Sequence, residues 1–303
     1  MRIALAERRL QLKEKQMHKA RIKSIGLALG IGAVACVIAV LSVYVFNRVQ
    51  TNNRINTFES HISASEEKGK NDTDDKKENP NSAVENNGDS GSGEENGSDY
   101  AAGSLEYEYG TYNDEEFVIN LKKQGIDIDR LRKDSEEYNE WLKSHQNEYL
   151  TSKESYEQAA LNLENYGIYD NVFGYISAPS IGMKLPIYLG ANDDTMAYGA
   201  GHLCYTSLPI GGANTNVVLA GHTGYIGRWL FDDVDRLSVG DSVEIFTYLG
   251  KLHYEVTNVQ NKAPEDGEHM FIEWGKEKLT LITCTPDGVG GFDRRVVECT
   301  RKS

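Results

Sequence analysis

The carboxy-terminal part of this chain, residues 168–303, predicts a mainly β fold, and three observations carry that reading. Short runs of alternating or β-branched residues recur after Gly167: Phe173–Ser177, Leu185–Tyr188, Asn216–Ala220, Ser242–Thr247, Leu252–Gln260, Leu279–Thr283 and Arg295–Thr300. Turn signals separate them at Gly211-Gly212-Ala213-Asn214, Val239-Gly240-Asp241 and Pro286-Asp287-Gly288. Seven or more short strands within about 135 residues favour a closed barrel or a sandwich, and a barrel leaves no exposed edge.

Ahead of that domain the chain changes character three times. Ile25 to Phe46 is a run of 22 residues without a charge. As a helix it spans about 33 Å, enough to cross a hydrocarbon core of about 30 Å. Residues 1–24 carry eight basic side chains against two acidic ones. The positive-inside rule makes them a cytoplasmic tail and places everything after Asn47 outside. A cleaved signal peptide has an apolar region of only about 7–15 residues. The expectation is therefore an uncleaved, single-pass signal anchor over residues 25–46, holding the protein in the cell membrane.

Residues 47–112 read as a disordered acidic stalk. From Glu59 to Asp99 there are 12 acidic and 4 basic residues and almost nothing apolar, over half of the chain's net charge of −14. Such a segment cannot offset its own ordering entropy. It also helps explain an apolar content of 39%, below the usual share of about 45–50%. The acidic balance, 46 residues against 32 basic, argues against a nucleic-acid partner, whose binding needs Lys and Arg on phosphates.

Residues 113–167 form a helical lead-in. They are charged, free of proline, and carry apolar positions at helical steps: Phe117, Leu121 and Gln124; then Tyr138, Trp141, Leu142 and Tyr149; then Tyr156, Ala159, Ala160 and Leu163. Asn113 with Glu116 resembles a capping box. Two or three amphipathic helices are predicted, packed beside the barrel through Trp141, Tyr149 and Tyr156.

The four cysteines, Cys36, Cys204, Cys284 and Cys299, form no CxxC pair, which argues against a disulfide scaffold or a structural zinc site. Glycine-rich phosphate loops are absent. No cofactor and no metal is expected. Three strand ends instead invite chemistry. Thr280-Leu281-Ile282-Thr283-Cys284 ends on a thiol, Val218-Leu219-Ala220-Gly221-His222 ends on an imidazole between glycines, and Arg294-Arg295 opens the last strand. A thiolate that attacks a carbonyl, an imidazolium that protonates the departing amine and a guanidinium that stabilises the oxyanion suffice for acyl transfer through a thioester. His202, also among glycines, reads as structural or substrate-adjacent; Cys204 and Cys299 read as inert packing.

These motifs resemble the sortases, membrane-anchored cysteine transpeptidases of Gram-positive bacteria. Thr280-Leu281-Ile282-Thr283-Cys284 matches the TLxTC signature, with His222 lying 62 residues upstream and Arg294 ten downstream. The similarity runs from about Gly174 to Arg301. It is strongest toward class C, pilin-type members, through Gly199–Leu203, Thr206–Gly212, Leu219–His222 and Thr283–Pro286. The resemblance implies an eight-stranded closed β-barrel in which Cys284 attacks an LPxTG-like sorting signal between Thr and Gly. His222 would serve as general acid and base, and Arg294 as the oxyanion and substrate clamp. Alignment with the family's last strand favours Arg294, whereas strand parity alone leaves Arg294 and Arg295 open. The implied partners are proteins bearing such a signal, an amine acceptor (a peptidoglycan precursor or a pilin lysine) and the membrane. A hydrolytic cysteine peptidase and a non-catalytic tethered surface module are the rival readings.

Three features depart from class C. The Asp-Pro-aromatic lid is missing, since the only proline between the apolar run and the barrel is Pro80. No second apolar run follows the last strand. Asp287 stands where class C usually has Tyr. The expectation is a site that is open in the resting enzyme.

Overall fold

The computed structural model describes residues 2–63, 115–150, 157–225 and 227–302, with side chains over 32–62 in the first segment. Eight strands close into a barrel: β1 (Gly174–Ala178), β2 (Met183–Leu189), β3 (Ala200–His202), β4 (Thr215–Ala220), β5 (Ser242–Thr247), β6 (Gly250–Lys262), β7 (Glu277–Pro286) and β8 (Phe292–Arg301). Their order around the barrel is β1-β2-β3-β4-β7-β8-β6-β5. Pairing is antiparallel except for β2 with β3 and β4 with β7. The predicted mainly β, eight-stranded closed barrel is thus the observed one. Seven strands coincide with the predicted runs. The eighth, β3, escapes the sequence pattern because its three residues are too few to display alternation.

The barrel interior is filled by the inward alternates of each strand, among them Ile176, Ile187, Val217, Leu219, Val243, Ile245, Leu279, Leu281, Val297 and Cys299. A second apolar cluster covers the outside of β1, β2 and β5. There Tyr175, Tyr188, Phe246 and Tyr248 meet side chains from three helices: α1 (Arg2–Ser63), α2 (Glu115–Lys123) and α3 (Ile128–Tyr149). A short helix, α4 (Asp193–Met196), links β2 to β3.

Helix α1 corrects the boundary of the stalk. Residues 47–63 continue the helix beyond the apolar run and dock on the barrel. Ile55, Phe58 and Ile62 are buried, and the Phe58 ring lies 4.7 Å from that of Tyr248, edge to face. Their i, i+3, i+7 spacing puts all three on one face of a helix. That signal is diluted in sequence by Asn56, Thr57 and Ser60 on the solvent side. The remainder of the expected stalk, 64–112, lies outside the described residues. Within α1 runs the one stretch, among the described residues, that is long and apolar enough to cross a membrane.

In α3 the buried face is Ile128, Leu131, Ser135, Asn139, Leu142 and Gln146. Trp141 and Tyr149 pack at its border, half exposed, with Tyr149 stacked 5.1 Å from Tyr205. Tyr156 and Asn113 lie outside the described residues. Hydrogen bonds join α3 to the barrel loops. Asn139 Nδ2 donates to the Leu208 carbonyl and Asn139 Oδ1 accepts from the Leu208 N–H. Gln146 donates to the Tyr205 carbonyl and accepts from the Ile272 N–H.

Candidate active site

Strands β4 and β7 run parallel and side by side, and their ladder has a constant offset of 62 residues from Thr215↔Glu277 to Ala220↔Ile282. His222 and Cys284 stand two residues beyond the last pair, with the same offset. The sequence spacing between them is therefore a strand register. Two further bonds hold the strand ends together: the Gly221 N–H donates to the Ile282 carbonyl at 3.1 Å, and Thr283 Oγ1 donates to the Gly221 carbonyl at 2.7 Å. Adjacent strands lie about 4.8 Å apart, so thiol and imidazole leave neighbouring positions on one rim.

Glycine at 221 has a steric cause. A Cβ there would sit 2.5 Å from the Phe231 ring. The Phe231 N–H also donates to the His222 carbonyl at 2.9 Å, so a buried phenylalanine fixes the backbone of the histidine from beneath. The His222 ring stacks on Tyr225 with centroids 5.4 Å apart and planes at 22°. The only signal Tyr225 gives in the sequence is its position three residues after the histidine, in a glycine-bounded loop.

Arg294 is the antiparallel partner of Cys284 in the β7–β8 ladder. Its Nη1 donates to the Cys284 Sγ at 3.2 Å. Parity separates the two arginines. Leu281 and Val297 point into the barrel, and Cys284 and Arg294 project from the outer face with Ile282 and Val296. Arg295 faces the other way, donating to Asn261 Oδ1 and to the Asp235 carbonyl, each at 2.9 Å. Only Arg294 reaches the thiol.

The β7–β8 turn is organised by Asp287. Its Oδ1 accepts from the N–H groups of Val289 and Gly291, both at 2.8 Å, and these backbone bonds hold its carboxyl below the usual range. Gly288 and Gly290 take the positive φ values, 79° and 104°, that the turn requires. Here the Asp at this position is a turn-forming residue.

The remaining candidates lie elsewhere. His202, on β3, is fully buried; its Nε2 donates to the Ser207 carbonyl at 2.9 Å, and burial lowers its pKa to about 4. It is a neutral structural histidine. Cys204 and Cys299 are buried, and burial raises the pKa of both thiols. Cys284 is partly exposed. Among the described residues no three His, Cys, Asp or Glu side chains stand close enough to share a metal ion.

A family model for the sortase domain matches residues 176–302, from β1 through the last strand. The structure of sortase C1 of GBS pilus island 1 is 30% identical and superposes with a TM-score of 0.52, covering 58% of this chain and 89% of that one. The chain belongs to the sortase family. A pilus-related sortase C of Group B Streptococcus is similarly close, with 30% identity, a TM-score of 0.50 and coverage of 60% and 91%. These likenesses put this sortase near class C. Among curated sortases, sortase A of Bacillus anthracis is 31% identical over 113 residues, 37% of this chain and 52% of that protein. Sortase D of Bacillus subtilis (strain 168) is 28% identical over 125 residues, 41% and 60%. The chain spans about half the length of the curated relatives it matches.

Proposed function

We propose that this protein is a membrane-anchored cysteine transpeptidase that cleaves an LPxTG-like sorting signal and transfers the acyl fragment to an amine. The observation that carries the reading is the Arg294 Nη1–Cys284 Sγ contact, beside a histidine set in register on the adjacent strand. In this reading the Cys284 thiolate attacks the Thr carbonyl carbon of the signal, and Arg294 donates to the oxyanion that forms. The protonated His222 ring gives its proton to the leaving Gly nitrogen, and the C–N bond breaks to leave a thioester. An incoming amine then loses a proton to His222, attacks the thioester, and expels the Cys284 thiolate.

The pilus-related names of its class C neighbours favour a lysine side chain on a surface protein as acceptor. The apolar run of α1 supports membrane attachment, with the barrel on the outer side.

The test is incubation of the detergent-solubilised chain with an LPxTG peptide, alone and with lysine-bearing or peptidoglycan-type amines. Ligated product supports the transpeptidase. Cleavage without ligation supports the hydrolytic peptidase instead, and no turnover supports the non-catalytic module.

A further inference from the structure

The helix that leaves the apolar run touches the loop that carries His222. Asn47 Nδ2 donates to the Gly227 carbonyl at 2.8 Å. Val43 packs so closely that a Cβ on Gly227 would meet it at 2.7 Å. Val43 and Asn47 bracket Phe46, the last residue of the apolar run. Tyr225 and the segment Gly227-Arg228-Trp229 therefore lie level with the point where α1 emerges from its apolar stretch. Tyr225 and Trp229 in this loop are 42% and 57% exposed, and Phe46 beside them 62%.

Three arginines gather at this rim. Arg48, Arg54 and Arg228 line the cavities between α1 and the loop, one of them about 240 Å³. None of the three has a carboxylate at ion-pair distance among the described residues, although the chain as a whole carries −14. Arg54 and Arg228 sit 4.3 and 4.0 Å from the centre of one ring, Tyr198. Asp233, the acidic group lining the other cavity, is engaged by Arg236 and by the Trp229 indole N–H. Arg54 donates to the Tyr188 hydroxyl and Arg228 to the Ala197 carbonyl, both neutral acceptors. Exposed Trp and Tyr beside Arg without a carboxylate partner, at the end of an apolar helix, is the composition of a membrane–water interface. Anionic headgroups attract such arginines.

We propose that Tyr225, Arg228 and Trp229, with Arg48 and Arg54 of α1, form a seat on the anionic headgroup layer of the membrane, which holds the His222 rim at the bilayer surface. This rests on reading α1 as the membrane anchor, and needs no turnover to be tested.

Trp229 and Trp274 supply probe and control. Trp274 precedes β7 at the end of the barrel away from Cys284, which lies about 23 Å along the strand from Glu277. The full chain would be reconstituted into phosphatidylcholine–phosphatidylglycerol vesicles containing brominated lipid. Two forms would be compared, one keeping only Trp229 (Trp141→Phe with Trp274→Phe) and one keeping only Trp274 (Trp141→Phe with Trp229→Phe). Vesicle flotation is scored separately. The expected result is flotation of both, loss of Trp229 fluorescence and none of Trp274, with the loss reduced in uncharged vesicles and by Arg228→Gln. Flotation with Trp229 quenched no more than Trp274 would overturn the seat while leaving the anchor. Failure to float would overturn both. Quenching indifferent to lipid charge and to Arg228→Gln would overturn the role given to the arginines.

Discussion

Arg294 faces Cys284 directly across the β7–β8 ladder and donates a hydrogen bond to its sulfur, while Arg295, one residue on, is turned to the opposite face. Arg294→Ala is expected to lower kcat/KM for peptide ligation by about 10²–10³, the usual cost of one lost oxyanion donor. Arg295→Ala is expected to leave the rate within a fewfold and to lower stability by about 1 kcal/mol, through its lost bonds to Asn261 and Asp235. Steady-state kinetics with urea unfolding of both variants checks this. The reverse ranking would remove Arg294 from the mechanism.

Thiol alkylation separates the cysteines. Iodoacetamide followed by mass spectrometry should label Cys284 in the folded protein, whereas Cys204 and Cys299 should react only after denaturation, because burial disfavours their thiolates. The open-site expectation is tested in the same assay with a chain lacking residues 64–112, a deletion that spares the docked part of α1. An unchanged Cys284 labelling rate is expected. A several-fold acceleration would reveal a lid.

Acid should destabilise the fold through His202. Its pKa is about 4 in the folded protein and about 6.5 in an unfolded chain. Between those values the unfolded state binds the extra proton, so stability is full above pH 6.5 and falls as pH drops. The loss reaches about 3 kcal/mol at pH 4. Burial lowers the pKa of His269 as well, with the same sign. Urea unfolding across pH 7.5 to 4.5 should show this slope. A flat profile would mean that His202 is hydrated in solution.

Asn139 ties α3 to the barrel by two bonds to one backbone unit, Leu208. Asn139→Ala strands a buried N–H and a buried carbonyl together and is expected to cost about 1–3 kcal/mol. Urea unfolding measures it, and a loss below a few tenths would show that water replaces the amide.

Elements whose pattern is local are legible in the chain alone. Alternation gave seven of the eight strands, and the charge-free run gave the apolar part of α1. The TLxTC-type strand end pointed to Cys284, and glycines flanking a strand end pointed to His222. The 62-residue spacing between them was visible in the sequence, but its meaning, a parallel register between β4 and β7, appears only when the two strands are side by side. Other features depend on which surfaces meet. The choice of Arg294 over Arg295 needed the barrel's inside and outside, because apolar residues line both faces of β8. The docking of Ile55, Phe58 and Ile62 needed the apolar outer wall of β1, β2 and β5 to receive them, since three apolar residues among polar ones bury nothing alone. Tyr225 and Arg228 became visible only once the histidine loop was seen against α1. A contact between residues some 180 positions apart leaves no periodic trace in the chain; closure of the barrel creates it.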